Sequence, residues 1–134
     1  MNYRIIDNAE EMDIDEVIRL LKMTYWADKR TKEQIERSMR NSDCYGIYLE
    51  DEGKLAGFAR VISDCATTYY LCDVVTDENW RGCGLGTALV SYIESRKKYE
   101  GLRGILITRD AHALYEKFGY EVLNDRVMVK GLNC

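Results

Sequence analysis

The chain contains no proline and only one histidine among its 134 residues. Because proline is missing, breaks between helices and strands must depend on Gly, Asn and Asp. The five cysteines are an odd number, and no two of them form a C-x-x-C pair. This pattern disfavours a zinc site and favours free thiols in a reducing compartment. We therefore predict no bound metal and a cytoplasmic location.

Long apolar runs and an excess of positive charge are also missing. No run approaches the ~18 apolar residues of a membrane span, and acidic residues appear too early for a signal peptide. The formal net charge is −4, whereas general nucleic-acid binding needs a basic face. We expect neither a membrane nor a nucleic acid as partner. The acidic balance is compatible with a cationic substrate, although net charge describes surface attraction rather than pocket shape.

Length and an apolar content of 46% predict one domain over residues 1–134. Hydrophobic periodicity and turn signals predict the order β-α-α-β-β-β-α-β-α-β-β, a mixed α/β sheet. Its middle strands, expected at 44–49, 54–62 and 67–76, are predicted to form an antiparallel meander. A helix then leads to a short apolar strand at 104–108, which suggests a parallel pairing. Segments 120–122 and 127–130 are predicted to close the sheet as a hairpin.

A glycine-rich run, Arg81-Gly82-Cys83-Gly84-Leu85-Gly86-Thr87, lies between a predicted strand and a predicted helix. Such a loop binds anions, because amides at a helix N-terminus lack partners and the helix dipole adds positive potential. The Rossmann fingerprint fails because Thr87 stands where a third glycine is required, and the Walker A pattern is absent. The run therefore predicts a site for a different phosphorylated ligand.

Two motifs together resemble the GNAT superfamily of acyl-CoA-dependent N-acyltransferases. The first is [QR]-x-x-G-x-[GA], read here as Arg81-x-x-Gly84-x-Gly86. The second, A-x-x-L-Y-E-K-x-G-[FY], is matched by Ala111, Leu114, Tyr115, Glu116, Lys117, Gly119 and Tyr120. The resemblance covers nearly the whole chain. It implies a single-domain GNAT-type fold, in which an antiparallel meander is followed by a β-α-β unit that binds acyl-CoA.

The resemblance also implies acetyl-CoA as cosubstrate and assigns its contacts. The pyrophosphate would lie on the loop and helix start, formed by Arg81, Gly82, Cys83, Gly84, Leu85, Gly86 and Thr87. Backbone groups of Val74, Val75 and Thr76 would contact pantetheine and the acetyl carbonyl. Thr108 stands where relatives often carry an Asn that touches the cofactor, and Thr76-Asp77-Glu78 replaces the V-x-P of many relatives.

Tyr115 and Asp73 are the predicted catalytic residues. By resemblance, the hydroxyl of Tyr115 lies near the CoA sulfur and protonates the leaving thiolate; the alternative is a tyrosine that only packs. Asp73 stands inside an apolar strand, between Cys72 and Val74. Its carboxylate could accept a proton through water or hold the substrate ammonium, and the alternative is an acid paired with an arginine or a backbone group.

Trp26, Arg30 and Asp64 are the predicted acceptor contacts. Relatives place the acceptor-site wall between the first two helices, where Trp26 and Arg30 stand, although Trp26 could equally be a lid or core residue. Asp64 lies in a predicted hairpin turn, where Asp is common for backbone reasons. His112 is expected to be exposed, and Cys83 has no neighbouring base that would make it a nucleophile.

Two functions fit these observations. The first is an N-acetyltransferase that passes the acetyl group of acetyl-CoA directly to a primary amine of a small molecule or protein. The second is an acyl-CoA-binding sensor or assembly module without turnover. A homodimer is expected in either case, because small proteins with exposed terminal strands often pair.

Overall fold

The computed structural model describes residues 1–131 of the chain. Within them lie five strands: β1 (Tyr3–Ile6), β2 (Asp43–Leu49), β3 (Lys54–Ser63), β4 (Thr68–Thr76) and β5 (Arg103–Ile105). The four α-helices are α1 (Ile14–Leu21), α2 (Lys32–Arg40), α3 (Leu85–Glu94) and α4 (His112–Glu116). None of these helices combines the length and apolarity needed to cross a membrane.

The strands form one sheet in the order β1-β2-β3-β4-β5. The first four pair antiparallel, and β5 pairs parallel to β4. Parallel neighbours need a crossover, and α3 supplies it between β4 and β5. The predicted mixed α/β fold, a meander followed by a β-α-β unit, is therefore confirmed.

The helices cover both faces of the sheet. On one face, α1 and α2 bury Val17, Leu20 and Ile35 against Phe58. On the other face, α3 buries Leu89 and Ile93 against strand residues that include Tyr45 and Val61. Successive strand residues point to opposite faces of the sheet. Because helices cover both faces, the sequences of β2 and β3 are nearly continuous apolar runs.

Side-chain caps mark the starts of α1 and α2. The side chain of Asp13 accepts a hydrogen bond from the amide of Asp15 at the start of α1. Thr31 and Gln34 form a reciprocal capping box at the start of α2. Each of these side chains satisfies an amide that the helix itself leaves without a partner.

The predicted C-terminal hairpin is wrong for the described part of the chain. Segments 120–122 and 127–130 contain no strand, and β5 ends at Ile105 after pairing with only three residues of β4. Every residue from 121 to 131 is exposed. The β-branched residues there suggested strands, but nothing in residues 1–131 provides the pairing partner that a strand requires.

Strand β4 has a bulge at Asp73. The pairing with β3 passes from Arg60 opposite Cys72 to Phe58 opposite Val75, so Asp73 and Val74 together face a single residue. Asp73 has a φ of 54°, a left-handed conformation that is uncommon for a residue other than glycine. The bulge changes the direction of β4 immediately before the glycine-rich loop.

Candidate active site

The N-terminus of α3 carries no side-chain cap, unlike those of α1 and α2. Its N-cap residue, Gly84, has a φ of 81°, and Gly82 has a φ of 83°. No atom lies within 4 Å of the Cβ position at either glycine, so backbone conformation rather than crowding requires glycine there. The first amides of α3 therefore remain available to an anion.

The turn before this loop is held by Asp77, the middle residue of the Thr76-Asp77-Glu78 segment. Its amide donates to the carbonyl of Ala56, and one carboxylate oxygen accepts from the amide of Asn79. The other oxygen accepts from the guanidinium of Arg19 in α1 at 2.7 Å. A buried carboxylate thus holds in place the turn between β4 and the glycine-rich loop.

The second half of β4 has one open edge. Its pairing with β5 covers only Thr68 to Tyr70, so in residues 1–131 no strand lies beside the stretch from Leu71 to Thr76 on that side. Backbone groups of a strand alternate in direction, so part of those of Val74, Val75 and Thr76 face the opening. These groups are available to hydrogen bond an extended ligand, and their contact with pantetheine stays a prediction.

Two cavities meet at this opening. The loop groove, about 510 Å³, runs past Arg81, Gly86 and the end of β4. The arginine cavity, about 440 Å³, is bordered by Arg30, Arg60 and Arg109. Both cavities share seven lining residues, which are Tyr25, Trp26, Val74, Arg109, Asp110, Ala111 and Tyr115. A ligand in one cavity can therefore meet a ligand in the other at this junction.

Tyr115 lies at the junction, and no described residue forms a hydrogen bond with its hydroxyl. The other buried tyrosines are paired: Tyr45 contacts Tyr99 at 2.7 Å, and Tyr69 donates to Glu94 at 2.6 Å. Tyr115 is equally buried, yet within residues 1–131 its hydroxyl makes no hydrogen bond. Burial, followed by the charge of Asp110, raises the pKa of Tyr115 to about 12. The hydroxyl therefore stays protonated and able to donate at neutral pH.

Asp73 is the centre of a buried polar cluster. Its Oδ2 accepts from Arg30 at 2.6 Å and from Arg60 at 2.9 Å, and its Oδ1 accepts from Trp26 Nε1 at 3.0 Å. Only 2% of the Asp73 side chain is exposed. The structure thus joins Asp73 to two predicted acceptor residues, Trp26 and Arg30, through direct contacts.

These contacts make Asp73 a poor general base. Burial alone would raise the pKa of its carboxyl, but the hydrogen bond from Arg30 and the charge of Arg60 outweigh burial and hold the pKa below its ordinary value. Lone pairs that already accept charge-assisted hydrogen bonds are weak proton acceptors. The geometry matches the alternative interpretation, an acid paired with arginine.

Asp64 lies away from both cavities. It occupies the hairpin between β3 and β4, where its carboxylate accepts from the amides of Ala66 and Thr67 and from the Thr67 hydroxyl. The hydrogen bond from the Thr67 amide, followed by that from Ala66, lowers its pKa. The predicted acceptor contact at Asp64 is corrected accordingly, because its oxygens hold a turn together and line neither cavity.

Thr108 borders the arginine cavity rather than the loop groove, and its hydroxyl accepts from the amide of Ala111 at 3.0 Å. This bond orders the turn before α4.

Cys83 is exposed in the loop, and His112 is exposed at the start of α4. Neither side chain borders either cavity. Among the described residues no cluster of His, Cys, Asp and Glu could hold a metal ion.

Sequence reasoning missed Arg60, Tyr25, Arg109, Asp110 and Lys130, which also border the arginine cavity. A signal existed for Arg60, because it is a lone charge within the otherwise apolar run of β3. The helical spacing that includes Tyr25 indicates packing rather than a site, and no functional signal marks Arg109, Asp110 or Lys130. They lie in irregular segments, and only the folded chain brings them to the cavity.

Comparison with protein families gives one assignment. Residues 42–122, more than half of the chain, match the acetyltransferase (GNAT) domain. A protein of Prochlorococcus marinus named as an uncharacterized N-acetyltransferase, ycf52-like, is 26% identical over 79% of this chain and 60% of its own length. A protein of Gracilaria tenuistipitata named as an uncharacterized N-acetyltransferase, ycf52, is 30% identical over 78% of this chain and 57% of its own length. The chain thus spans less than two thirds of these relatives.

Solved structures agree. A crystal structure from Xanthomonas campestris, described as belonging to the GNAT family, superimposes with a TM-score of 0.89 at 31% identity, covering 98% of this chain and 94% of that one. One from Staphylococcus aureus has a TM-score of 0.82, covers 99% and 100% of the two chains, and at 20% identity shows only the fold. The chain belongs to the GNAT acetyltransferase family.

Proposed function

We propose that the protein transfers the acetyl group of acetyl-CoA directly to a primary amine. The observation that carries this proposal is the junction of two cavities at Tyr115, a buried tyrosine whose hydroxyl has no partner in residues 1–131. One cavity leads to the anion-binding loop and the other to charged side chains. A donor and an acceptor can each occupy one cavity and react where they meet.

The loop groove fits acetyl-CoA, which supplies an activated acetyl group as a thioester. The uncapped start of α3 and the open space around Gly82 and Gly84 suit a pyrophosphate. Arg81 lies at the same end of the groove and adds a positive charge. The open edge of β4 offers backbone groups to the extended pantetheine, so that the thioester reaches the junction.

At the junction, Tyr115 donates a hydrogen bond to the sulfur as negative charge develops there. With a pKa of about 12 its hydroxyl is protonated throughout the physiological range. Stabilising charge that appears only during reaction lowers the barrier, because the same hydrogen bond contributes less before the C–S bond breaks.

Asp110 is the carboxylate that lines both cavities, so we assign it to hold the acceptor ammonium beside the thioester. The amine must lose a proton before its nitrogen can attack. At pH 7 this costs about 4–5 kcal/mol for an alkyl ammonium with a pKa near 10.4. We propose that water carries this proton away, since Asp73 is committed to its arginines.

A thiol-release assay with acetyl-CoA and a panel of amines tests the function, with calorimetry of acetyl-CoA binding in parallel. We expect binding and amine-dependent thiol release together, and the release lost on removal of the Tyr115 hydroxyl. Binding with no release for any amine would contradict the proposal and leave an acyl-CoA-binding module.

We also propose a homodimer in the cytoplasm. The dimer is supported by the outer edge of β5, beside which no strand lies within residues 1–131. Apolar side chains are exposed at Ile105 and Ile107, and again at Val122, Leu123, Val127, Met128 and Val129. An edge strand next to exposed apolar residues is a typical pairing surface.

A further inference from the structure

The arginine cavity is positively charged although the whole chain is acidic. Its charged lining comprises four cations, Arg30, Arg60, Arg109 and Lys130, and two carboxylates, Asp73 and Asp110. The cavity therefore has a formal charge of +2 in a chain whose formal net charge is −4. This concentration of positive charge reflects the cavity and not the general composition of the protein.

Two of the cations share a single carboxylate. Arg30 and Arg60 both contact Oδ2 of Asp73, and among the described residues neither has a second ion-pair partner. Only 29% of the Arg30 side chain and 11% of the Arg60 side chain are exposed. One positive charge is therefore held largely away from water without a counterion from residues 1–131. Such a charge is unfavourable unless a ligand supplies the missing anion.

The charges are also arranged in order along the cavity. Asp110 borders both cavities, so it lies at the junction where we propose that the acetyl group is transferred, together with Arg109, whose Nη2 lies 3.7 Å from its Oδ2. Arg30, Arg60 and Lys130 border only the arginine cavity. A molecule with an ammonium at one end and an anion at the other would match this arrangement at both ends.

We infer that the acceptor is an amine that also carries an anionic group, a carboxylate or a phosphate. Its ammonium lies at Asp110 beside the thioester, and its anionic group binds Arg30 and Arg60. The anionic group neutralises the one positive charge of this arginine pair that Asp73 leaves unbalanced. This inference rests on the proposed function, which it deepens by naming the substrate class. It also opposes the cationic acceptor that the overall acidity of the chain suggested.

Matched pairs of amines test the inference. L-Alanine and L-alaninamide differ by one carboxylate charge, and O-phosphoethanolamine and ethanolamine differ by a phosphate. Each is titrated calorimetrically against the protein saturated with CoA, which fills the loop and prevents phosphate from binding there. The same amines are assayed for thiol release with acetyl-CoA. We expect about tenfold or greater preference for the anionic member of one pair, since charge-assisted hydrogen bonds are the strong ones. The pair that responds identifies the anion.

Arg30→Gln isolates the excess charge. Asp73 keeps Arg60 and Trp26 as partners in this variant, so its carboxylate remains paired and the cluster becomes neutral. We expect the preference for the anionic amine to fall about tenfold while affinity for its neutral partner is unchanged. Arg30→Lys retains the charge and should keep most of the preference. Arg103→Gln, an equal charge change on exposed β5 outside both cavities, should have no effect.

The two proposals fail separately. Anion-selective binding without thiol release would contradict acetyl transfer and support the ligand class. Thiol release that favours ethanolamine or alaninamide would overturn the inference and support acetyl transfer. Equal affinities within both pairs, including no detectable binding, or a preference that survives in Arg30→Gln would also overturn the inference.

Discussion

At the scale of single residues, the hydroxyl of Tyr115 is distinguished by what surrounds it. The hydroxyls of Tyr69 and Tyr120 donate to Glu94 of α3, and that of Tyr99 donates to Asp43 of β2. That of Tyr115 contributes to no such network in residues 1–131 and faces both cavities. Its removal should therefore affect reaction and leave folding unchanged.

We expect Tyr115→Phe to lower kcat about 100-fold, because it deletes a donor to the developing thiolate. The KM for acetyl-CoA and the midpoint of urea unfolding should stay at their wild-type values. Steady-state kinetics measures both constants. Tyr3→Phe, an exposed tyrosine in β1, is the matched control and should retain full activity. An unaltered kcat in Tyr115→Phe would remove the assignment.

We expect Asp73 to stabilise the folded protein by pairing with Arg30 and Arg60. Replacing it by Asn leaves two guanidiniums without a counterion, which should reduce the free energy of unfolding by about 3 kcal/mol. Urea unfolding at neutral pH measures this loss. Asp73→Asn combined with Arg30→Gln should recover part of it, because the second change removes one of the two stranded charges.

The pH dependence of this effect has a definite sign. The folded-state pKa of Asp73 lies below its ordinary value of 3.8. Its contribution to stability is therefore fully present above about pH 5 and is lost as the pH falls through the depressed folded value. The difference between wild type and Asp73→Asn should shrink in acid. The acidic limb of kcat/KM should persist in Asp73→Asn; its disappearance would restore Asp73 as general base.

At the scale of elements, the start of α3 combines glycine conformation with exposed amides. Gly84→Ala places a Cβ at a φ of 81°, which should cost about 1–2 kcal/mol of stability and disturb the anion-binding amides. Gly101→Ala is the matched control, with a φ of 78° and likewise no atom within 4 Å of its Cβ position.

Both glycine variants should lose similar stability in urea, since the same backbone strain is introduced. Only Gly84→Ala should weaken acetyl-CoA binding, by about tenfold, when the Kd is measured calorimetrically. Equal affinities in the two variants would show that the loop does not hold the pyrophosphate.

The element-level predictions succeeded where a local signal was available. Asp13 and Thr31 mark helix starts through their own hydrogen bonds, and the β2, β3 and β4 segments carry strong strand patterns. The hairpin predicted at 120–122 and 127–130 failed because strand formation depends on a partner. The bulge at Asp73 was missed for a related reason, since register is a property of two strands together.

At the scale of the whole molecule, the open edge of β5 predicts self-association. We expect light scattering to give twice the mass of the 15.6 kDa chain. Ile105→Lys places a charge on the exposed face of β5 and should give the mass of a single chain without loss of helical circular dichroism. A wild-type protein that already has the mass of one chain would contradict the dimer.

From the sequence alone we predict a donor site on the glycine-rich run. The glycine run, the strand before it and the helix after it are contiguous, and backbone geometry at a helix start depends little on the rest of the fold. The overall fold and the position of Tyr115 followed from the two motifs and their order.

Only the tertiary structure decided the chemistry of the arginine cavity, where we propose that the acceptor binds. Arg30, Arg60 and Asp73 come from three separate segments, and the sign of the charge in their cavity depends on how many carboxylates the fold brings to the two arginines. A net charge of −4 cannot reveal a local excess of positive charge. Electrostatic interactions depend on distances in space, and positions far apart in the chain become neighbours only on folding.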